Sequence, residues 1–159
     1  RMAQSSHEYL ITQLQHQDMP SNNTDHRLNF NHPVKELVWR AHDDGLNEDE
    51  DDVQILDFST KNCKLTLNGH ERAAPRPWKY FQTVQPFQHH TRIPAIADNI
   101  GVYSFALKPE ESQPSGSCNF SRIDNAQLKL TGASSGDIWA TNWNVLRIMS
   151  GMGGLAYSN

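Results

Sequence analysis

The first predicted element is a short helix near the amino terminus. Ser5 stands three residues before Glu8, the spacing of a capping box, which satisfies two unpaired N–H groups at a helix start. Leu10 and Leu14 then follow at i, i+4, a spacing typical of one helix face. Pro20 and the polar residues after it end this pattern. The sequence therefore predicts one short N-terminal helix.

From Leu28 onward the hydrophobic positions form short runs separated by turn-forming residues, a pattern typical of β-strands. Asn68-Gly69 is a strong turn dipeptide and ends one of these runs. Pro86 places another run at a sheet edge or a strand end, because proline cannot donate to a ladder. The predicted strands are Leu28–Phe30, Val34–Trp39, Val53–Phe58, Lys64–Leu67, Tyr80–Phe87, Val102–Leu107, Gln127–Leu130 and Ile138–Ile148.

This series of seven or eight strands indicates an all-β fold in a single domain of 159 residues. The connections are often too long for an up-and-down barrel of tight hairpins. Greek-key or jelly-roll wiring of an antiparallel β-sandwich is therefore favoured. The loops Ala41–Asp52 and Pro109–Asn119 are expected to be exposed, since irregular backbone needs water as a hydrogen-bond partner.

Large aromatic residues at period-two spacing are expected to fill the core between the sheets, because they bury large apolar areas. These residues are Tyr103, Phe105, Trp139 and Trp143. Trp78 follows Pro77 in a proline-rich segment and has two interpretations. It is a residue packed locally or a residue at an interface.

The charge pattern argues against a nucleic-acid-binding protein. Fourteen Lys and Arg stand against eighteen Asp and Glu, for a formal net charge of −4. Seven of the acidic residues lie within Asp43–Asp52, and no cluster of basic residues follows one face. The acidic run lacks the residue order of an EF-hand calcium loop, so we expect a solvated loop. No apolar run has the roughly eighteen residues of a transmembrane segment.

Metal, cofactor and catalytic sites are not predicted from the spacing of reactive residues. His89 and His90 are the only adjacent histidines, and neighbours on a strand point to opposite faces. Cys63 and Cys118 lie far apart and are expected to be free thiols. Cys118 with a distant histidine would form a thiol dyad, but nothing local activates that thiol. We therefore expect no enzyme activity, no cofactor and no metal ligand.

Two further patterns carry little information about function. Asn22 and Asn119 match the acceptor rule for N-glycosylation, although such short matches arise by chance. The glycine cluster Ser150–Gly154 has no helix after it, so it does not form a phosphate-binding loop. It is expected to be flexible or closely packed backbone.

Read as strings, several segments resemble the C-terminal region of the major capsid proteins of nucleocytoplasmic large DNA viruses, of the iridovirus and phycodnavirus type. The resemblance is clearest in VQPFQHHT at Val84–Thr91 and in NWNVLRIMSGMGG at Asn142–Gly154. Further segments that carry it are Tyr80–Phe81, Val102–Glu110, Gln113–Asn125, Leu155–Asn159, His32–Trp39 and Leu67–Arg72. The resemblance covers nearly the whole chain.

This resemblance implies a structural protein with two jelly rolls in tandem, of which residues 1–159 are most of the second, C-terminal one. The first jelly roll is absent from this chain, whose opening Arg1-Met2 suggests a fragment. In such a family three copies form a homotrimer with a pseudo-hexagonal outline, and these capsomers tile an icosahedral shell. The implied partners are neighbouring capsomers and minor capsid proteins, without direct contact to nucleic acid. The implied location is the capsid of the virion, above any internal membrane, after assembly in the host cytoplasm.

Two alternatives stay open beside the capsid hypothesis. A carbohydrate-binding jelly roll would stack a sugar ring on an exposed aromatic residue such as Trp78 or Tyr80. An enzyme of the cupin type would bring two or three histidines and a carboxylate to one metal. Rings of His89 and His90 that turn apart would remove the second alternative.

Overall fold

The computed structural model describes residues 4–21, 23–43, 61–95, 99–131 and 134–158. These residues form ten strands: β1 (His7–Met19), β2 (Asp25–Leu28), β3 (Pro33–Asp43), β4 (Asn62–Leu67), β5 (His70–Pro77), β6 (Ile100–Ser104), β7 (Cys118–Asn119), β8 (Ala126–Leu130), β9 (Ser134–Met149) and β10 (Met152–Leu155). The helical elements are a π-helical turn (Tyr80–Val84), the helix α1 (Gln85–His89) and a 3-10 turn (Phe120–Arg122). In the described ranges no helix is long and apolar enough to cross a membrane.

The strands lie in two antiparallel sheets that confirm the predicted jelly roll. Among the described residues, the larger sheet has the order β1-β9-β3-β6, with β7 beside β3 and β10 beside β9. The smaller sheet has the order β2-β8-β4-β5. Strands pair as β1 with β9, β2 with β8, β3 with β6 and β4 with β5. The chain is thus one long antiparallel ribbon that is rolled across both sheets, which is jelly-roll wiring.

The tip of this ribbon is the turn between β4 and β5, as the sequence predicted. Asn68 and Gly69 both have positive φ angles, 50° and 79°. These are the conformations that a two-residue hairpin turn requires. The Oδ1 atom of Asn68 also accepts hydrogen bonds from the backbone N–H groups of Asp124 and Asn125, at 3.0 and 3.1 Å. The turn is therefore tied to the segment that leads into β8.

Hydrophobic side chains from both sheets meet in one core. In β8 the residues Ala126, Leu128 and Leu130 are buried, while Lys129 between the last two is exposed, as the two-residue period of a strand requires. The buried hydrophobic residues are Met19, Leu28, Phe30, Val34, Leu37, Trp39, Ala41, Cys63, Leu65, Ala73, Trp78, Phe81, Phe120, Ala126, Leu128, Leu130, Ile138 and Ala140. Tyr103 and Phe105 pack against this cluster, as predicted.

The prediction of an N-terminal helix is wrong, because that segment is the edge strand β1. It pairs with β9 in continuous register from His7↔Ile148 to Met19↔Gly136. The misleading i, i+4 spacing of Leu10 and Leu14 fits a strand as well as a helix, since four is a multiple of two. Both side chains lie on one face of β1.

Contacts on the side of β1 that faces the smaller sheet explain why this segment forms a strand rather than a helix. Gln15 donates from Nε2 to the backbone oxygen of Asn31 at 2.7 Å, and its Oε1 accepts from the Asn31 N–H at 3.0 Å. Gln17 makes the same kind of contact with the oxygen of Arg27 and the N–H of Asn29. These side-chain amides provide hydrogen-bond partners for the backbone N–H and C=O groups around the connection between β2 and β3. A helix would place them on different faces.

Other boundaries differ from the predictions. Tyr80–Phe87 is helical rather than extended, and Pro86 lies in the first turn of α1, where a missing N–H costs nothing. The strand predicted at Leu28–Phe30 lies earlier, as β2. The sequence did not predict β5, whose Pro75 and Pro77 are tolerated on an edge strand, or β10 in the glycine cluster. The predicted strand Val53–Phe58 lies outside the described residues.

The prediction that Trp139 fills the core is also wrong, and Trp143 is buried but lies outside the core cluster between the sheets. Ile138 and Ala140 belong to the core cluster, so the side chains that alternate with them face away from the smaller sheet. Trp139 contacts the ring of His16 at 5.5 Å between centroids. Trp143 is buried on the side of the larger sheet that faces away from the smaller sheet, beneath the ammonium group of Lys35. A long central strand can bury both faces, and its alternation alone does not tell which face is the core.

Candidate functional site

The adjacent histidines do not converge on a common ligand. The ring of His89 contacts the backbone oxygen of Leu107 through Nδ1 at 2.9 Å. The ring of His90 lies between the carboxylates of Glu36 and Glu110. In the described part of the chain, neither histidine belongs to a group of three metal-ligating side chains. The cupin alternative therefore loses the observation on which it depended.

The two cysteines lie in surroundings that suppress thiolate formation. Cys63 is fully buried in β4 and Cys118 is half-buried in β7, and both are free. Burial raises the pKa of each thiol above its ordinary value. A nucleophilic cysteine needs the opposite shift, so neither residue has the environment of a catalytic thiol.

One cluster of metal-ligating residues could not be recognised in the sequence. His16 and Asp18 lie on one face of β1, and Asp137 lies beside them on β9. The Nε2 atom of His16 is 2.6 Å from an oxygen of Asp137 and 3.5 Å from one of Asp18. The period-two spacing of His16 and Asp18 was the only local signal, since Asp137 is distant in sequence. Both carboxylates are partners of the His16 ring, so their positions are explained without a metal ion.

Of the aromatic residues proposed for sugar stacking, Trp78 is buried and Tyr80 is partly buried. Trp78 is 2% exposed and meets Trp39 edge to face at 6.2 Å between ring centroids. The guanidinium of Arg76 lies 4.5 Å from the ring centroid of Tyr80, whose hydroxyl accepts a hydrogen bond from Gln85. Of the two interpretations of Trp78, local packing is confirmed. Both rings are therefore poorly placed to stack on a sugar.

One candidate surface is the outer face of the larger sheet, which is the face turned away from the smaller sheet. Leu10 and Leu14 lie on it, since they pair in register with Val145 and Thr141. They are 47% and 67% exposed. Met149 and Met152 are also exposed, at the junction of β9 and β10, and the ion pair of Arg147 with Glu8 lies between them and Leu10. Several exposed apolar residues on one face indicate an interaction surface.

A segment between β6 and β7 is anchored beside this face by a buried lysine. Lys35 is 5% exposed, and its Nζ donates to the backbone oxygen of Pro109 at 2.9 Å. The same ammonium lies 4.4 Å from the ring centroid of Trp143. Burial lowers the pKa of Lys35, opposed by the nearby charge of Glu36. The predicted loop Pro109–Asn119 is thus held on the sheet at its first residue.

His90 adds an ionic contact to the same segment. Its Nε2 is 2.7 Å from Oε2 of Glu36 on β3, and its Nδ1 is 3.0 Å from Oε1 of Glu110. The hydrogen bond with Glu36 is the main cause that raises the pKa of His90. The sequence alone does not indicate this group, because its three members are far apart in the chain and share no recognised spacing.

Of the two asparagines that match the N-glycosylation pattern, only Asn119 lies within the described residues. Asn119 is exposed, but its Oδ1 accepts the backbone N–H of Ser121 at 3.1 Å and so caps the 3-10 turn. Asn22 lies outside the described residues, as does the acidic run beyond Asp43. Asn119 therefore has a local structural role.

Comparison with known proteins identifies the family. The sequence model of the family described as large eukaryotic DNA virus major capsid protein matches residues 1–137. The chain belongs to this family. The resemblance read from the sequence is confirmed, and the jelly roll is the fold that the family's solved structures share with it.

Individual relatives are matched over only part of their own length. The major capsid protein of Pyramimonas orientalis virus is 50% identical over 100% of this chain and 45% of its own length. That of Paramecium bursaria Chlorella virus 1 is 37% identical over 100% of this chain and 50% of its own length. The crystal structure of VP54 of the latter virus, fitted into a reconstruction of the virophage Sputnik, matches with a TM-score of 0.78 and 35% identity, covering 99% of this chain and 53% of that chain. The chain spans about half the length of these relatives.

Proposed function

We propose that this chain is most of the C-terminal jelly roll of a double jelly-roll major capsid protein, a structural subunit of an icosahedral viral capsid. The observation that carries the proposal is that the structural match covers 99% of this chain but only 53% of the VP54 chain. The remaining length of the relatives is sufficient for a second jelly roll of similar size. The N-terminal jelly roll would be that missing half.

The outer face of the larger sheet is the surface that this second jelly roll would cover. Leu10, Leu14, Met149 and Met152 expose about half or more of their surface there. Burial of such residues contributes roughly 25 cal/mol for each Å² of apolar surface removed from water. Among the described strands, β1 also lies at the edge of its sheet, so a neighbouring element can pair with its outward backbone groups.

In the assembled state, three copies of the full-length protein would form a homotrimeric capsomer with a pseudo-hexagonal outline. Such capsomers would contact one another and minor capsid proteins in the shell of the virion, after assembly in the host cytoplasm. Each interface between capsomers can be weak and the shell still stable, because each capsomer contacts several neighbours and the binding free energies of these contacts combine. The shell role requires no direct contact with nucleic acid and no catalysis.

The carbohydrate-binding alternative has less support. Its two candidate residues, Trp78 and Tyr80, are packed against other side chains. The chemistry of the described residues also offers no activated thiol. A scaffold that presents apolar surface fits these observations better than a sugar-binding or catalytic domain.

Negative-stain electron microscopy of the purified full-length protein tests the capsomer proposal. We expect particles with a pseudo-hexagonal outline and threefold symmetry. Small asymmetric particles of one subunit would count against the proposal.

Substitution on the outer face tests how the two jelly rolls pack. Leu14→Asp in the full-length protein should lower the melting temperature, because it places a carboxylate in the apolar contact. Ala74→Asp is the matched control, since Ala74 is an exposed apolar residue on β5, the edge strand of the smaller sheet. Equal effects of the two substitutions would contradict packing on the outer face.

A further inference from the structure

His90 lies between two carboxylates that come from different parts of the chain. It directly follows α1, whereas Glu36 lies on β3 and Glu110 lies in the connection between β6 and β7. Oε2 of Glu36 is 2.7 Å from Nε2, and Oε1 of Glu110 is 3.0 Å from Nδ1. A single ring therefore joins three elements.

The geometry requires a particular charge state of the ring. A neutral imidazole has one N–H group, so it can donate to only one of two carboxylates, whereas an imidazolium donates to both. The side chains of His90 and Glu36 are only 17% and 13% exposed, so water is a poor substitute donor at Glu36, whereas Glu110 is 41% exposed. The carboxylates contact different nitrogens of the ring. This arrangement suits a bridging proton donor rather than a metal ligand set.

The segment joined by His90 depends on side-chain anchors. Within Leu107–Ser117, named here the latch segment, Leu107 and Lys108 donate to the oxygen and Oγ of Ser115, which are contacts within the segment. Contacts to the rest of the domain include Lys35 to Pro109, His89 to Leu107, and Glu110 to His90. Oε1 of Glu110 also accepts the backbone N–H of Thr91 at 3.2 Å.

We propose that His90 is a protonation-dependent latch that, in its imidazolium form, holds the latch segment against β3 and α1. Loss of the ring proton removes one of the two hydrogen bonds and leaves two carboxylates facing a neutral ring. The segment is then released from its ionic anchor, while the contacts of Lys35 with Pro109 and of His89 with Leu107 remain. The domain thus contains a pH-sensitive surface segment. This proposal does not depend on capsid assembly.

The sign of the pH dependence follows from the groups around the ring. Glu36 on β3 and Glu110 on the latch segment are negative, Lys35 beside Glu36 is positive when protonated, and His89 on α1 contacts a carbonyl. The Glu36 hydrogen bond raises the pKa of His90 above 6.5, so the stabilisation is complete below about pH 6.5 and is lost as the pH rises through the raised value. The Thr91 N–H lowers the pKa of Glu110 below 4.5, so its contribution is lost only as the pH falls below that.

Hydrogen exchange measured by mass spectrometry on the full-length protein tests this proposal. After correction for intrinsic base catalysis, exchange of peptides from the latch segment should increase as the pH is raised from about 6 to about 9, by at most about tenfold per unit. His90→Gln should exchange fast throughout and show no such increase. His89→Gln is the matched control, because it lacks only a contact with one backbone oxygen, and it should keep the increase.

A second variant keeps the test informative if His90→Gln does not fold. Glu110→Gln removes one carboxylate on the exposed side and should weaken the pH dependence without affecting the contact of His90 with Glu36. Corrected exchange in the latch segment that does not change with pH in the unmodified protein would overturn the proposal. Persistence of the full pH dependence in His90→Gln would also overturn it.

Discussion

Gly101 lies directly opposite Trp39 in the pairing of β3 with β6, and the indole of Trp39 occupies the space where a side chain of residue 101 would be. A Cβ atom at Gly101 would be 2.4 Å from Cε2 of Trp39. Trp39 cannot easily move, because it packs against Trp78 and Phe81 in the core. A glycine in strand β6 thus makes room for Trp39 to pack against Trp78 and Phe81.

Gly101→Ala should therefore destabilise the fold. Overpacking of a core by one methyl group costs about 1–3 kcal/mol, which chemical denaturation of the full-length protein can measure. Gly154→Ala in β10 is the control, since a Cβ atom there would meet no atom of the described residues within 4 Å, its chain neighbours aside. If Gly101→Ala left the free energy of unfolding unchanged, Trp39 would have to be able to move away from residue 101, which would contradict this account.

Gln15→Ala should destabilise the edge of the larger sheet. It leaves the N–H and oxygen of Asn31 without their side-chain partner, at a cost of about 1 kcal/mol for the lost hydrogen bonds. Thr12→Ala, on the outer face of the same strand, should cost less. Denaturation curves of the two variants measure the difference. An equal loss in the free energy of unfolding would mean that strand propensity, and not the amide contact of Gln15, determines stability at this edge.

Asn68→Ala should weaken the hairpin at the tip of the ribbon. Alanine disfavours the φ of 50° found at this position, and it removes the acceptor for Asp124 and Asn125. We expect a loss of about 1–2 kcal/mol in the free energy of unfolding. Asn68→Asp retains both the acceptor oxygen and the tolerance of positive φ, so it should recover most of the stability. No recovery would contradict this account of the turn.

The thiols should react slowly in the folded protein at neutral pH. Burial raises the pKa of both, and only the thiolate attacks a disulfide reagent. Cys118, which is half-buried, should react before Cys63, which is fully buried. A colorimetric thiol assay with and without denaturant measures the order. Fast reaction of Cys63 in the native protein would contradict its burial in β4.

Much of the fold was accessible from the sequence, for a physical reason. In β3, β4 and β8 the alternation of apolar and polar residues reports directly on which side chains face the core. The dipeptide Asn68-Gly69 specified its hairpin because few residues tolerate its backbone conformation. Long connections then favoured jelly-roll wiring.

The errors arose where local patterns are ambiguous. The spacing of Leu10 and Leu14 fits two periodicities, and only the pairing with β9 and the contacts of Gln15 select the strand. Alternation in β9 separated its two faces but could not assign Trp139 and Trp143 to the outer one. That assignment depends on the position of the smaller sheet.

The candidate sites were less predictable than the fold. The contacts of His90 with Glu36 and Glu110 join residues that are 54 and 20 positions apart. The same holds for Lys35 and Pro109, separated by 74 positions. Such contacts arise from the way the ribbon is rolled, and no local spacing records them.

The native mass of the full-length protein tests the central claim most directly. Native mass spectrometry, supported by sedimentation, should give three times the mass of one chain at micromolar concentration, as a capsomer subunit requires. A stable monomer under the same conditions would contradict the proposed role as a trimeric capsid building block.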